Sequence, residues 1–138
     1  MADRKRVLVI DDDADFRTAV ATLLETEGYE VAEATTGHEG LERLGDVRPD
    51  LVIVDVMMES AAEGYGVNQA IRYQPQFASL QDVPIVMISS IQESPDEIYA
   101  RASEVGMIHP DRYLTKPLDV PRFLQTVRQL VPAAPRAI

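Results

Sequence analysis

Aspartates follow directly after two hydrophobic, strand-like runs of this chain. Asp11, Asp12 and Asp13 come after the first run, and Asp55 comes after a later one. If both runs are strands of one parallel sheet, their carboxylates meet at its carboxyl edge, where open α/β proteins place their ligands. Two carboxylates about 4 Å apart repel by roughly 4 kcal/mol at an effective dielectric constant near 20, so they need a cation or must stay protonated. The sequence therefore predicts a metal site at this edge.

Two further strand-like runs end on a hydroxyl and on a cation. One ends at Ser89-Ser90, and the other ends at Lys116-Pro117. A carboxylate can attack phosphorus and form an aspartyl phosphate when metal and cationic groups neutralise the transferring oxygens. The combination predicts a phosphoryl site, and Asp55 is the predicted nucleophile because it stands alone on its strand end.

The triple aspartate is suited to Mg²⁺, which prefers oxygen ligands and is commonly bound through one or two carboxylates plus a substrate phosphate. We expect Asp12 to be the direct ligand and Asp11 to be its partner. Asp13 is predicted to cap the first helix, because an aspartate there accepts a backbone N–H bond and complements the helix dipole.

Alternating strand and helix patterns predict the framework that brings these residues together. Apolar β-rich runs are separated by stretches with helical spacing. The predicted strands are Arg6–Ile10, Tyr29–Ala34, Leu51–Val54, Ile85–Ile88 and Arg112–Leu114. Near-continuous apolar strands between helices favour an α/β fold with a doubly wound parallel sheet of order 2-1-3-4-5. In that order the first and third strands are neighbours, so their aspartates lie side by side.

Five helices are expected to cover this sheet. The first is predicted from Ala14 to Glu27, with Gly28 as its stop, and Thr36 is expected to cap the second. Apolar residues at helical spacing mark the remaining helices: Leu41 and Leu44 in the second, Val67 and Ile71 in the third, Ile98 and Val105 in the fourth, and Phe123, Val127 and Leu130 in the fifth.

Length and composition bound the possible functions. The chain has 138 residues, of which 46% are hydrophobic and 26% charged, and it has no cysteine. We expect one domain over residues 1–132 and a short tail over 133–138. The formal net charge of −10 disfavours nucleic acid and anionic membranes as partners and favours basic proteins or cations. No apolar run approaches the roughly 20 residues of a membrane span, so a cytoplasmic location is expected.

The ordered set of Asp11-Asp12, Asp55, Ser89 and Lys116 at four strand ends resembles the receiver domain of two-component response regulators. The resemblance covers essentially the whole chain and is closest to a stand-alone, chemotaxis-type receiver. It implies a flavodoxin-like fold and Mg²⁺-dependent transfer of a phosphoryl group to Asp55 from a histidine kinase or phosphotransfer protein. It also implies a signalling protein rather than an enzyme, with slow self-dephosphorylation and an unknown downstream protein target.

The resemblance also implies roles for individual residues. Asp12 and Asp55 would bind Mg²⁺ together with the backbone carbonyl of Met57, with Asp11 beside them. Lys116 would pair with the phosphoryl group.

Two further positions would act as the switch. Ser89 would hydrogen-bond the phosphoryl group, and Tyr113 would move according to where the Ser89 hydroxyl lies. The positions flanking the phosphoryl group are Met57 and Ile91. Both are apolar and neither can orient a water molecule, which predicts a long-lived phosphate.

Three features depart from the receiver pattern. Glu59 replaces the usual proline after Met58, which removes a φ constraint from that turn. Residues 59–66 form a longer, acidic segment that we expect to be a mobile loop beside the site, and residues 107–111 lengthen a later connection. Both insertions border the expected signalling side of the domain.

Other functions remain open at this point. A flavin-binding carrier could share the architecture, but three aspartates would repel its phosphate. A haloacid-dehalogenase-like phosphatase could use Asp11 and Asp13 as nucleophile and acid, although Asp15 stands where that motif has Thr or Val. A scaffold could use the fold for binding without phosphorylation. The sequence leaves open the cognate kinase, the oligomeric state and whether the chain is part of a longer protein.

Overall fold

The computed structural model describes residues 4–55, 61–89 and 112–132. For residues 61–65, 89, 112, 113 and 115 it describes the backbone alone. Within these ranges the chain alternates between strands and helices.

The sheet has five parallel strands. They are β1 Arg6–Ile10, β2 Glu30–Ala34, β3 Leu51–Asp55, β4 Ile85–Ser89 and β5 Arg112–Thr115. Their order is β2-β1-β3-β4-β5, which confirms the predicted doubly wound, flavodoxin-like topology. The registers pair Ile10 with Val54, Asp55 with Ile88, and Ser89 with Thr115. The carboxyl ends of β1, β3, β4 and β5 therefore lie along one edge of the sheet.

Four α-helices lie within the described residues. They are α1 Ala14–Thr26, α2 Gly37–Val47, α3 Ala61–Tyr73 and α4 Val120–Leu130, and a 3₁₀-helix spans Pro75–Leu80. Helix α4 is the predicted fifth helix, and the predicted fourth helix lies outside the described residues. The predicted caps are confirmed: Asp13 accepts from the backbone N–H groups of Asp15 and Phe16, and Thr36 accepts from that of Glu39.

Helices cover both faces of the sheet, because neighbouring residues of a strand point to opposite sides. On one face, strand residues pack with residues of α2, α3 and the 3₁₀-helix: Leu8, Ile10, Val52, Val54, Ile85 and Met87 meet Leu44, Val67, Ile71 and Phe77. On the other face, strand residues pack with residues of α1 and α4: Val7, Val9, Leu51, Ile53, Val86 and Ile88 meet Val20, Leu24, Phe123 and Val127. Residues 7–10, 51–54 and 85–88 are therefore buried between two helical layers.

Two expectations about connections differ from the structure. The predicted loop over residues 59–66 is wrong from Ala61 onward, because α3 begins there. Alanines favour a helical backbone, and the inward stripe that contains Val67 and Ile71 extends the same helix. The 3₁₀-helix was not predicted. Its buried Phe77 packs on the sheet, and such a single aromatic residue gives no periodic signal.

Candidate functional site

Lys116 joins two aspartates at the carboxyl edge of the sheet. Asp11 directly follows β1, Asp55 ends β3, and Lys116 directly follows β5. The Lys116 Nζ atom lies 2.9 Å from Asp11 Oδ2 and 3.4 Å from Asp55 Oδ2. Lys116 is 105 positions from Asp11 and 61 positions from Asp55 in the sequence, so the topology of the sheet brings the three residues into one charged cluster.

Burial strengthens the electrostatic coupling within this cluster. The exposed fractions of the side chains are 1% for Asp11, 5% for Asp55 and 24% for Lys116. Burial raises the pKa of Asp11, although hydrogen bonds from the Asp13 backbone and from Lys116 oppose the rise. Burial lowers the pKa of Lys116, but its hydrogen bond to Asp11 and the charges of both carboxylates outweigh burial, so the pKa is raised overall. The ammonium of Lys116 therefore stays charged near neutral pH.

Asp12 completes a group of three carboxylates. Oxygen atoms of Asp11, Asp12 and Asp55 all lie within 4.8 Å of one another, and Asp12 is exposed while the other two are buried. An all-oxygen, anionic donor set with one side open to solvent suits a hard divalent cation that keeps several water ligands, such as Mg²⁺. The residues present therefore fit the predicted metal, and their role as its ligands stays a prediction.

Local hydrogen bonds fix the position of Asp11. Its Oδ1 accepts from the backbone N–H of Asp13 at 2.9 Å, and its backbone carbonyl accepts from Arg17 Nη1 at 2.7 Å. Arg17 also donates through Nε to Glu33 Oε1 at 3.2 Å, which links α1 to β2. The backbone carbonyl of Glu33 in turn accepts from Arg43 of α2. Asp11 is thus held from both its side chain and its backbone.

Sequence reasoning missed two neighbours of the cluster. Arg17 supports the Asp11 carbonyl, and the ring of Phe16 has its centroid 4.1 Å from Lys116 Nζ. Both residues lie in the first turns of α1, immediately after the Asp13 cap. Their place next to the aspartate run was the available signal, but Phe16 also packs against the core layer of α1 and α4, and that packing alone accounts for an apolar residue there.

The other predicted site residues are described in part or not at all. The backbone of Ser89 ends β4 beside Thr115, and the backbone of Tyr113 pairs with Met87 in β5. The side chains of Ser89 and Tyr113, and the whole of Met57, lie outside the described part of the structure, so their predicted roles are untested.

Neither histidine is predicted to bind a metal. His38 is exposed, and its Nε2 lies 2.8 Å from Glu42 Oε1 one helical turn away. His109 lies outside the described residues.

The fold and the charged edge together define a flavodoxin-like protein with an acidic site at the carboxyl ends of β1 and β3. The family described as response regulator receiver domain matches residues 7–128, and the chain belongs to this family. It is therefore a receiver domain of the two-component response regulators, as the sequence predicted.

Known proteins similar to this chain differ in length. The DNA-binding dual master transcriptional regulator RpaA of Synechocystis sp. is 34% identical over 126 residues, which are 91% of this chain and 48% of that protein. Protein PilG of Pseudomonas aeruginosa is 31% identical over 132 residues, covering 96% of this chain and 91% of that protein. The chain thus spans about half the length of RpaA and nearly all of PilG.

The chain also matches solved structures over almost its full length. Chemotaxis protein CheY4 of Vibrio cholerae superimposes with a TM-score of 0.77 at 28% identity, covering 94% of this chain and all of CheY4. Among the residues that the structure describes, no helix has the length and apolar character needed to cross a membrane.

Proposed function

We propose that this receiver accepts a phosphoryl group on Asp55 from a histidine kinase or phosphotransfer protein and thereby changes its binding to a downstream protein. The receiver would comprise residues 1–132, followed by the tail 133–138. The contact of Lys116 with both Asp11 and Asp55 carries the proposal, because a cation lies beside a buried carboxylate in a response regulator receiver domain.

In the proposed reaction, a carboxylate oxygen of Asp55 forms a bond to phosphorus while the phosphorus–nitrogen bond of a phosphohistidine donor breaks. The imidazole nitrogen keeps the electron pair and takes up a proton. Lys116 already lies within 3.4 Å of Asp55 Oδ2 and would pair with the added phosphoryl oxygens. Hydrolysis of the acyl phosphate then releases inorganic phosphate and restores the carboxylate.

Asp11, Asp12 and Asp55 would hold Mg²⁺, together with the backbone carbonyl of Met57. The bound ion would neutralise charge on the phosphoryl oxygens. Oxygen donors of the three carboxylates within 4.8 Å of one another support this assignment.

Asp55 is the proposed acceptor rather than Asp11 because of the contacts that Asp11 makes. Asp11 Oδ1 is bound by the Asp13 backbone and Oδ2 by Lys116 at 2.9 Å. A phosphatase of the haloacid-dehalogenase type would need Asp11 as its nucleophile, and hydrogen bonds to both of its oxygens make the Asp11 carboxylate a weaker nucleophile.

The switch would involve Ser89 and Tyr113. Asp55 pairs with Ile88 in the sheet, so the next residue, Ser89, lies at the same edge as the acceptor. Phosphorylation adds charge and acceptor oxygens that would draw the Ser89 hydroxyl towards them, and Tyr113 would follow. We propose a protein as the downstream partner, because the net charge of −10 argues against nucleic acid or an anionic membrane as partners of this chain. We also propose a cytoplasmic location.

Incubation with acetyl phosphate and Mg²⁺, followed by intact-mass measurement, tests the proposal. Wild-type protein should gain one phosphoryl group, and chelation of Mg²⁺ should abolish the gain. Asp55→Asn should gain none, whereas Asp46→Asn, which changes an exposed carboxylate of α2 by the same atoms, should behave as wild type. An adduct that survives in Asp55→Asn but is lost in Asp11→Asn would refute the proposal. No adduct in any variant, with partner binding unchanged in Asp55→Asn, would indicate a scaffold instead.

The proposed phosphate is long-lived because Met57 and Ile91 offer no group to orient water. Met57→Asn should change the rate at which the phosphorylated mass decays after the donor is removed. An unchanged rate would show that these side chains do not control hydrolysis.

A further inference from the structure

The ring of Phe16 closes one side of the Lys116 ammonium. The ring centroid lies 4.1 Å from Nζ, while the same nitrogen lies 2.9 Å from Asp11 Oδ2 and 3.4 Å from Asp55 Oδ2. The face of an aromatic ring is electron-rich and attracts a cation at this distance. The ammonium is thus held by two carboxylates and one ring face.

Phe16 belongs to a closed loop of contacts around the site. Asp11 Oδ1 accepts from the backbone N–H of Asp13 at 2.9 Å, and Asp13 Oδ1 accepts from the backbone N–H of Phe16 at 3.2 Å. The Phe16 ring contacts Lys116, which returns to Asp11. The cap of α1 therefore fixes the position of the Phe16 ring relative to Asp11, the carboxylate that Lys116 binds.

Phe16 differs from the other partly buried apolar residues of α1 in this contact. It packs against the core layer formed by α1 and α4, as Leu23 does. An aliphatic side chain could supply that packing but would offer no electrostatic attraction to an ammonium. The ring also has no hydrogen-bond acceptor that could compete with a phosphoryl oxygen for the cation.

We propose that Phe16 is a positioning residue for Lys116: its ring holds the ammonium at the carboxyl edge by a cation–π contact and leaves it free to exchange a carboxylate for a phosphoryl oxygen. The positioning of Lys116 follows from the contacts alone. The effect of this positioning on phosphoryl transfer rests on the proposed function of Asp55.

A double-mutant cycle in EDTA tests the positioning without any phosphorylation. Unfolding equilibrium constants are measured in urea for Phe16→Leu, Lys116→Met and the double variant. A cation–π contact of ordinary strength predicts that the two substitutions couple by about 2-fold to 30-fold in that constant. The control cycle pairs Leu23→Ala with Lys116→Met, and its two effects should multiply independently. Independent effects in the Phe16 cycle would overturn the proposal.

Fluorinated phenylalanines at position 16 test the electronic nature of the contact. Successive fluorine atoms weaken the negative face of the ring while keeping its shape, so the coupling should fall step by step, and Phe16→Trp should retain it. In acetyl phosphate and Mg²⁺, the rate of phosphoryl addition should fall in the same order, by about 2-fold to 30-fold for Phe16→Leu. A rate that is flat across the series would overturn the positioning role. If the coupling is present but the wild type gains no phosphoryl group, the proposed function of Asp55 fails while the contact with Lys116 stands.

Discussion

Replacement of Lys116 by methionine should destabilise the metal-free protein, because it removes the cation that faces a buried carboxylate. Lys116 Nζ lies 2.9 Å from Asp11 Oδ2, and Asp11 is only 1% exposed. At an effective dielectric constant near 20, a unit charge pair at that separation attracts by about 6 kcal/mol. Methionine keeps the apolar stem of the side chain, so the change isolates the charge.

Protonation of Asp11 limits the loss. Neutralising a carboxyl group with an ordinary pKa near 3.9 costs about 4 kcal/mol at neutral pH. Burial already raises the pKa of Asp11, which reduces that cost. We therefore expect Lys116→Met to lower the free energy of unfolding by roughly 3 kcal/mol, in the range found when one partner of a buried ion pair is removed.

Urea unfolding at neutral pH, in EDTA and again in millimolar Mg²⁺, measures this effect. Lys5→Met is the matched control, because Lys5 is exposed and its loss changes the net charge equally. The control should stay within about 0.5 kcal/mol of wild type. Mg²⁺ should reduce the deficit of Lys116→Met, since a bound cation replaces the missing charge. Equal unfolding free energies for the two variants in EDTA would refute the electrostatic account of the site.

Three further predictions concern the framework, and urea unfolding at controlled pH measures each. Asn68 is fully buried, and its Oδ1 has no hydrogen-bond partner among the described residues, so Asn68→Leu should stabilise the fold by about 1 to 2 kcal/mol; a loss of stability would contradict this. A Cβ at Gly40 would overlap the side chain of Ile10, so Gly40→Ala should lower the free energy of unfolding by about 1 to 2 kcal/mol. A Cβ at Gly45 meets open space, so Gly45→Ala should raise the free energy of unfolding by about 0.5 to 1 kcal/mol, and the same sign for both variants would contradict the packing. Burial raises the pKa of the Tyr29 hydroxyl, so this group loses its proton at lower pH in the unfolded chain than in the folded protein. Its contribution to the free energy of unfolding should therefore be constant below about pH 10 and fall above it, and Tyr29→Phe should remove this decrease.

Much of the framework followed from local patterns. The apolar runs and their spacing predicted a parallel sheet covered by helices, because a strand buried on both faces leaves an unbroken hydrophobic signature. Asp13 and Thr36 were recognised as caps, since their side chains bond to backbone groups only two or three residues away. The start of α3 at Ala61 was missed because the acidic, glycine-containing segment contains few apolar residues to show a period.

The sequence by itself determined which groups could do chemistry and on which strand ends they stand: Asp11 and Asp12 after β1, Asp55 at the end of β3, and Lys116 after β5. Position along the chain is enough for this, because parallel strands must end at a common edge. Only the tertiary structure decided that Lys116 binds Asp11 more closely than Asp55, and that the ring of Phe16 covers the ammonium. Those contacts depend on side-chain directions and burial, which packing of the helices on the sheet determines and no local pattern encodes.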